Sequence, residues 1–364
     1  MNNQISSKQA GILLCISTFS SKLLLLPSIL YSQAKNQAFL LLLTIFFVEF
    51  LGVWFILKLK QKFYPLGLFE ILKNIFGKII TKIIFGIFAF YFALKFLYVF
   101  LESYNYLKEM VNEDATILLY ACCTLPVVNF LVLKGFRCLG RTAQFYFWFI
   151  VVGILSCFSI GFLAGAVRMP ELEFGFKFVP KIFNVLFWFG DYGFLLLMFD
   201  KIKPEKNLNK IVIKYFLLGI ALVFCVHIMY FALFGDTTFM HFFAISDIVQ
   251  FNIFFGGLWK LDILALLTIM FLLYFSMSLF MFCFSDCLSK ICPSLNRTHS
   301  VAIIDIATFI ALYLSLLNLE MLVAGATMYF KYLSAFCLGL IPLILLLSFF
   351  ANKNKGVKYE NIFE

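Results

Sequence analysis

The sequence predicts an all-α polytopic membrane protein with ten transmembrane helices. The 364-residue chain is 63% hydrophobic and 13% charged, whereas a soluble domain is about 45–50% apolar and about 25% charged. Apolar runs of about 18 residues or more, enough to cross a bilayer, recur along the whole length. These two observations exclude an ordinary soluble protein and predict an integral membrane protein.

Ten apolar segments are predicted to span the membrane. Their connections are short, so we expect one transporter-like transmembrane domain over residues 1–364 and no soluble domain. The first apolar stretch is long enough to span and lacks a basic leader and a small-residue cleavage site, so we expect no cleaved signal peptide. The predicted spans are about 10–31, 37–57, 79–102, 115–133, 143–166, 181–199, 210–234, 262–286, 300–318 and 325–350.

The distribution of basic residues predicts that both termini are cytoplasmic. Most of the 29 Lys and Arg residues follow the even-numbered spans or lie at the termini, which the positive-inside rule places in the cytoplasm. The net charge of +10 is therefore a topology signal, and we expect no nucleic-acid partner. Six basic residues are predicted outside: Lys35, Lys108, Arg168, Lys177, Lys181 and Lys260.

Signatures of enzymes, metals and cofactors are missing from the sequence. The nucleophile-elbow, zinc-protease, phosphate-loop and dinucleotide-turn motifs are all absent. Cys283, Cys287 and Cys292 are close in sequence, but no histidine or fourth cysteine lies at ligand spacing. We therefore expect a non-enzyme without a metal site or cofactor, and transport or sensing is favoured over catalysis.

Asp191 is the most informative residue because it lies near the middle of span six. An acid at the centre of a membrane helix costs roughly 2.5–3.5 kcal/mol, and such residues usually mark a substrate or ion path. Gly190 and Gly193 bracket Asp191 and supply the backbone freedom of an interrupted helix. Span six is therefore predicted to be broken.

Span one contains a matching interruption at Ser20, Ser21 and Lys22. Spans one and six are equivalent if ten spans divide into two inverted halves of five. Both interruptions lie about ten residues after the start of their spans. The coincidence predicts a 5+5 inverted repeat with broken helices 1 and 6, the first repeat covering about 10–166 and the second about 181–350.

The costly polar residues inside the spans predict one site between the two breaks. Lys22 either neutralises Asp191, contacts a ligand carboxylate, replaces a coupling cation, or extends to an aqueous cavity without a specific partner. In span three, Tyr91, Lys95, Tyr98, Glu102 and Tyr106 share one helix face, which is either a wall of the site or a self-satisfied packing face. Substrate-binding candidates are Ser20, Ser21, Lys22, Tyr98, Phe189, Gly190, Asp191, Tyr192, Gly193 and Tyr274, and coupling or ion-pair candidates are Glu49, Lys95 and Glu102.

Several short segments, in order, resemble one known family. They are Ile5–Gln9, Leu26–Ser28, Gln33–Ala38, Gly77–Lys78, Lys134–Gly135 with Arg141, Phe189–Asp191 and Leu261–Asp262. The chain resembles the B subunits of spore germinant receptors, or endospore germination permeases, of the amino acid–polyamine–organocation superfamily. It departs from the family pattern in having Ser20 for glycine, Lys22 for a small or apolar residue, and Asp191 for glutamate.

The resemblance implies a LeuT-type fold and a receptor subunit that senses a nutrient, often an amino acid. It also implies a location in a bacterial cell or inner spore membrane and two partners, an A-type membrane subunit and a C-type lipoprotein. Three functions remain open at this point: a germinant-sensing subunit with a transporter-like pocket, a proton- or sodium-coupled amino acid permease, and a structural partner in which Lys22 and Asp191 form a static pair.

Overall fold

The protein is helical throughout the residues that the computed structural model describes, which are 4–111, 114–163, 173, 175–243, 260–313 and 319–351. An isolated parallel bridge joins Ile5 to Ile202. The helices of the first half are α1 (Ser7–Ser20), α2 (Leu26–Ala34), α3 (Ala38–Phe63), α4 (Leu68–Phe76), α5 (Lys78–Met110), α6 (Ile117–Lys134) and α7 (Phe136–Leu163).

The second half contains shorter and more irregular helices around its first span. Turns of 3₁₀-helix cover Val179–Lys181, Leu186–Trp188, Phe199–Lys201 and Gly235–Met240, and a π-helical segment covers Ala326–Phe330. The α-helices are α8 (Ile182–Val185), α9 (Gly193–Met198), α10 (Leu208–Phe234), α11 (Lys260–Ile291), α12 (Arg297–Tyr313), α13 (Leu319–Gly325) and α14 (Lys331–Ala351).

The predicted class, an all-α membrane protein, is confirmed. Within the described residues, seven helical stretches are long and apolar enough to cross a membrane, or eight if the bent pair Val179–Trp188 and Gly193–Lys201 is one span. Helices occur in each of the ten predicted ranges, but α1 has 14 residues and α12 has 17. The ten-span count stays a prediction. Part of the basis for the ten-span prediction lies outside the described residues, namely residues 314–318, Arg168 and the tail after Ala351.

Span one is interrupted immediately after Ser20. The hydroxyls of Ser17 and Ser20 donate to the carbonyls of Leu14 and Ser17, a local bond that competes with regular helix. The chain then runs without helix from Ser21 to Leu25, and Pro27 lies in the first turn of α2, where its missing N–H costs no helical bond.

Span six is broken around Asp191, and its two parts bend by 53°. Gly190 has a φ of +87°, and a Cβ there would lie 2.9 Å from both Leu338 Cδ2 and the Tyr91 hydroxyl. Gly190 is therefore required by conformation and by space. Gly193 is different, since its φ is not left-handed and a Cβ would meet only Phe92, at 3.8 Å. The expectation that both glycines supply the break is correct for Gly190 alone.

The broken spans lie inside the bundle, surrounded by long helices. Helix α1 packs mainly against α10, with further contacts to α7 and α11, and α5 packs along α11. At the α1–α10 contact a Cβ on Gly219 would lie 3.2 Å from the Cys15 carbonyl oxygen, so the two backbones approach closely. Both breaks are consequently buried at the centre of the protein.

Polar contacts tie the elements together at both ends of the bundle. At the end where α1 begins, the Lys60 ammonium donates to the carbonyls of Phe199 and Ile202, and Asp286 pairs with Lys201 and Lys290. At the opposite end, Ser28 donates to the Phe239 carbonyl and Tyr31 donates to Asp236. These contacts link broken span six to its neighbours at one end and broken span one to the segment after α10 at the other.

Candidate functional site

The two breaks meet in a buried cluster of one carboxylate and two ammonium groups. The Asp191 Oδ2 atom lies 2.8 Å from Lys22 Nζ and accepts a bond from the Ser21 hydroxyl at 2.6 Å. The Asp191 Oδ1 atom lies 2.9 Å from Lys95 Nζ. Lys22 comes from the first break, Asp191 from the second, and Lys95 from the middle of α5. We call Lys22, Lys95 and Asp191 the charged triad.

The charged triad is almost completely withdrawn from solvent. All three side chains are at most 1% exposed. Desolvating charges is expensive and is offset only when the partners are close and well bonded. Aromatic rings complete the surroundings, with Lys22 Nζ 4.9 Å from the Phe189 ring centre and Lys95 Nζ 5.0 Å from that of Phe187, both within cation–π range. Glu49 lies close enough to Lys22 and Lys95 to interact with them electrostatically, so two cations and two acids are buried together at the breaks.

Side chains from other helices satisfy the backbone that the second break exposes. The Ser21 hydroxyl donates to the Trp188 carbonyl at 3.3 Å. Tyr91 and Lys95 each donate to the Phe189 carbonyl at 3.2 Å. Glu49 Oε1 accepts a bond from the Gly190 amide at 2.6 Å. Buried backbone groups need such partners, so these residues also hold the break in its shape.

The first break is held in the same way by a residue of α5. The Leu25 amide, which precedes α2, donates to Glu102 Oε1 at 3.3 Å. The Tyr98 hydroxyl lies 3.4 Å from the same oxygen and accepts a bond from Trp188 Nε1 at 2.5 Å. A carboxylate at a helix N-terminus is also favoured by the helix dipole. Glu102 and Tyr98 thereby connect the first break to the second.

The polar face predicted on span three points at both breaks. All five of its residues are buried, and four of them bond to residues of the breaks, as described above. Lys95 pairs with Asp191, whereas within the described residues the structure contains no Lys95–Glu102 ion pair. The face is a wall of the charged cluster and is not a packing surface whose lysine and glutamate satisfy one another.

Two carboxylate oxygens at the site lack a hydrogen-bond partner among the described residues. They are Glu49 Oε2 and Glu102 Oε2, which belong to side chains that are 2% and 0% exposed. Buried polar atoms are normally satisfied, so an exception calls for an explanation such as a bound cationic group, a proton or water. The site therefore contains carboxylate oxygens that no described residue fills, close to the ammonium groups of the charged triad.

The remaining predicted site residues are placed unequally. The Ser20 hydroxyl lies 2.5 Å from that of Ser276 on α11, which brings span eight to the first break. Tyr274 is half-buried, and within the described residues its hydroxyl makes no hydrogen bond to the charged triad. Tyr192 is buried with its hydroxyl against Gly52, where a Cβ would lie only 2.4 Å away. Ser276 is therefore the span-eight residue that contacts the first break, and a ligand contact by Tyr274 stays a prediction.

Trp188 is a contact of the site that the candidate set did not include. Its indole N–H donates to Tyr98, and its carbonyl accepts from Ser21. The sequence could have indicated this contact, because Trp188 directly precedes the candidate Phe189 in a span that was predicted to be broken. The described residues also contain no group of three or more His, Cys, Asp or Glu residues that could hold a metal ion.

Comparison with known proteins identifies the family. A sequence model of the family described as "Spore germination protein" matches residues 4–320, which include both breaks and the charged triad. The chain belongs to the spore germination protein family. Together with the apolar helices, this membership makes it a germination-related integral membrane protein. No significant match is found among curated proteins.

Proposed function

We propose that this member of the spore germination protein family is the nutrient-sensing membrane subunit of a germinant receptor, and that the nutrient is an amino acid. The observation that carries the proposal is the charged cluster where the two broken spans meet. Lys22 and Lys95 provide two ammonium groups in contact with Asp191, and Glu49 provides one acceptor oxygen, Oε2, that has no partner among the described residues. Groups of both signs suit a zwitterionic ligand.

Binding would exchange protein–protein ion pairs for protein–ligand ion pairs. The ligand carboxylate would take a position beside Lys22 and Lys95, close to that of the Asp191 carboxylate. The ligand amine would bind Glu49 Oε2 and Asp191. Since the triad is buried, entry of a ligand requires the protein to open. The ligand would then shift the balance between closed and open forms, as any ligand that prefers one form must do.

The fold we propose is a LeuT-type arrangement of two inverted five-helix repeats. The two broken spans at matching positions support it, as does their meeting at a buried polar site. The change between forms would be read by an A-type membrane subunit and a C-type lipoprotein in the inner spore membrane. Both termini would lie on the cytoplasmic side, where the basic segments concentrate.

The proposal is tested with Glu49→Gln in spores. A strain lacking the chain is complemented with wild type or variant, and the fall in optical density is followed over a panel of amino acids, sugars and nucleosides. Glutamine keeps the oxygen that accepts from Gly190 but removes the charge offered to the ligand amine. A lost hydrogen bond to a charged group is worth about 1.5–3 kcal/mol, so the half-maximal nutrient concentration should rise roughly tenfold or more.

Glu70→Gln is the matched control. Glu70 Oε2 also accepts a bond from a glycine amide, that of Gly67, at 3.0 Å, but on the exposed helix α4. We expect Glu70→Gln spores to behave as wild type. If Glu49→Gln spores contain normal amounts of the protein and respond at the wild-type nutrient concentration, the proposed ligand site is wrong.

A coupled amino acid permease is the second candidate function. The unpartnered Glu102 oxygen favours it, because a buried carboxylate of this kind can hold a coupling proton. Purified protein in liposomes with an imposed proton or sodium gradient should then accumulate labelled amino acid. Accumulation that Glu102→Gln uncouples from the gradient would establish the permease, whereas nutrient binding without accumulation supports the sensor.

A further inference from the structure

A groove separate from the buried site lies between the N-terminal halves of α1 and α7. Its volume is about 400 Å³, within the range of about 300–1,000 Å³ that small-molecule sites occupy. It opens at the end of the bundle where the Ile5–Ile202 bridge lies. The lining residues are Lys8, Ile12, Arg141, Gln144, Phe145 and Trp148.

The two helices that form the groove are in direct contact. Gln9 Nε2 of α1 donates to Oε1 of Gln144, a lining residue of α7, at 3.2 Å. A Cβ on Gly140 would lie 3.3 Å from the Gln9 Cβ atom, so the two helices approach closely at this level. Arg141, Phe145 and Trp148 are spaced i, i+4 and i+7 and therefore share one face of α7.

The groove contains two cations and no anion. Lys8 and Arg141 are exposed, and within the described residues neither has a carboxylate partner. Lys201 and Lys290, at the same end of the bundle, are instead paired with Asp286. The pair Lys8 and Arg141 is thus available to an external anion, and an arginine is well suited to the oxygens of a phosphate.

An exposed apolar stripe continues from the groove along α7. Phe145 is 79% exposed and Trp148 is 65% exposed, and Val152 and Leu155 extend the same face. From Arg141 to Leu155 the helix rises about 21 Å, which takes the stripe well into the hydrocarbon layer. A basic end joined to a long apolar track matches a molecule with an anionic head and an acyl chain.

We propose that this groove binds an anionic phospholipid. The headgroup phosphate lies between Lys8 and Arg141, and one acyl chain follows Phe145 and Trp148 along α7. The apolar stripe selects a lipid over free phosphate, since free phosphate would use only the two cations. The positive-inside pattern places the headgroup in the cytoplasmic leaflet.

The test measures lipid binding to the purified full-length protein. Phosphatidylglycerol and phosphatidylcholine are titrated into detergent-solubilised protein, and bound lipid is counted by native mass spectrometry. We expect wild type to retain phosphatidylglycerol in preference to phosphatidylcholine. A basic residue near an anionic lipid contributes about fivefold in affinity, so Lys8→Gln/Arg141→Gln should weaken phosphatidylglycerol binding roughly thirtyfold and leave phosphatidylcholine unchanged.

A charge-matched double variant and a soluble competitor give the decisive comparisons. Lys58→Gln/Lys73→Gln removes two exposed cations away from the groove and should change binding less than twofold. Arg141→Lys, which keeps the charge, should stay within a few fold of wild type. Equal retention of both lipids, or equal losses in the two double variants, would overturn the proposal. So would displacement of the lipid by glycerol 3-phosphate at matching concentrations, which would indicate a free-phosphate site.

Discussion

Removing Asp191 should destabilise the protein more than removing either lysine that contacts it. Asp191→Asn leaves Lys22 and Lys95 as two buried ammonium groups without a carboxylate in contact. Lys22→Met leaves the Lys95–Asp191 pair intact, and Ser21 still donates to the freed Asp191 oxygen. The structure thus predicts an asymmetry that a simple pair of one lysine and one aspartate would not produce.

The expected magnitudes follow from the number of charges that each change leaves unpaired. Breaking a buried ion pair by removal of one partner costs about 3–5 kcal/mol, and here one removal affects two cations, so Asp191→Asn should reach the upper part of that range. Lys22→Met removes one charged bond and leaves no charge alone, so we expect about 1.5–3 kcal/mol. Lys95→Met should behave similarly, because Tyr91 continues to donate to the Phe189 carbonyl.

The assay is unfolding of the purified protein in mixed detergent micelles with increasing denaturing detergent. The double change Lys22→Met/Asp191→Asn should remain destabilised, because Lys95 is then unpaired. The triple change that also removes Lys95 should recover most of the loss, since apolar replacement of a buried charged cluster is often neutral or stabilising. If Asp191→Asn costs no more than Lys22→Met, or if the double change restores stability fully, the described triad is wrong.

The remaining predictions concern the break, the helix packing and the topology. Gly190→Ala should destabilise by about 1–3 kcal/mol because its φ is left-handed, whereas Gly193→Ala should be tolerated; thermal unfolding of both variants checks this, and equal effects would contradict it. Gly219→Ala should lower the free energy of unfolding by about 1–3 kcal/mol, because its methyl group would crowd the α1 backbone. An unchanged unfolding midpoint in the same assay would refute that contact. For the topology, single cysteines are introduced by Asp236→Cys and Lys203→Cys in a background without accessible native cysteines. The cysteine at position 236 should react with an impermeant thiol reagent in intact cells, and the one at position 203 only after permeabilisation. The reverse pattern would show that the topology is inverted.

The sequence was sufficient to locate the breaks because their cause is local. A left-handed glycine beside an acid in span six and two serines before a lysine in span one are anomalies in otherwise apolar segments. The same reasoning placed Lys22 near Asp191. What it left open was the partner of Lys95, since helical spacing predicts which face of span three is polar but not its level relative to span six. Only the packing of α5 settles that Lys95 contacts Asp191.

The sequence could not predict features that depend on rotation about a helix axis or on the space around a residue. Tyr274 and Ser276 are two residues apart and so point in very different directions, and the orientation that α11 adopts brings Ser276 to the first break. Gly193 looked equivalent to Gly190, but only Gly190 has a left-handed φ and a crowded Cβ position. Neither distinction can be obtained from composition or spacing, because both depend on neighbouring helices.

A ligand-dependent thermal shift measurement tests the central claim most directly. Wild type, Glu49→Gln and Glu70→Gln are purified and unfolded thermally with each compound of a panel of amino acids, sugars and nucleosides. We expect an amino acid to raise the midpoint of wild type and of Glu70→Gln but not that of Glu49→Gln at the same concentration. A stabilising compound that raises the midpoints of all three proteins equally would contradict a ligand site between the two broken spans.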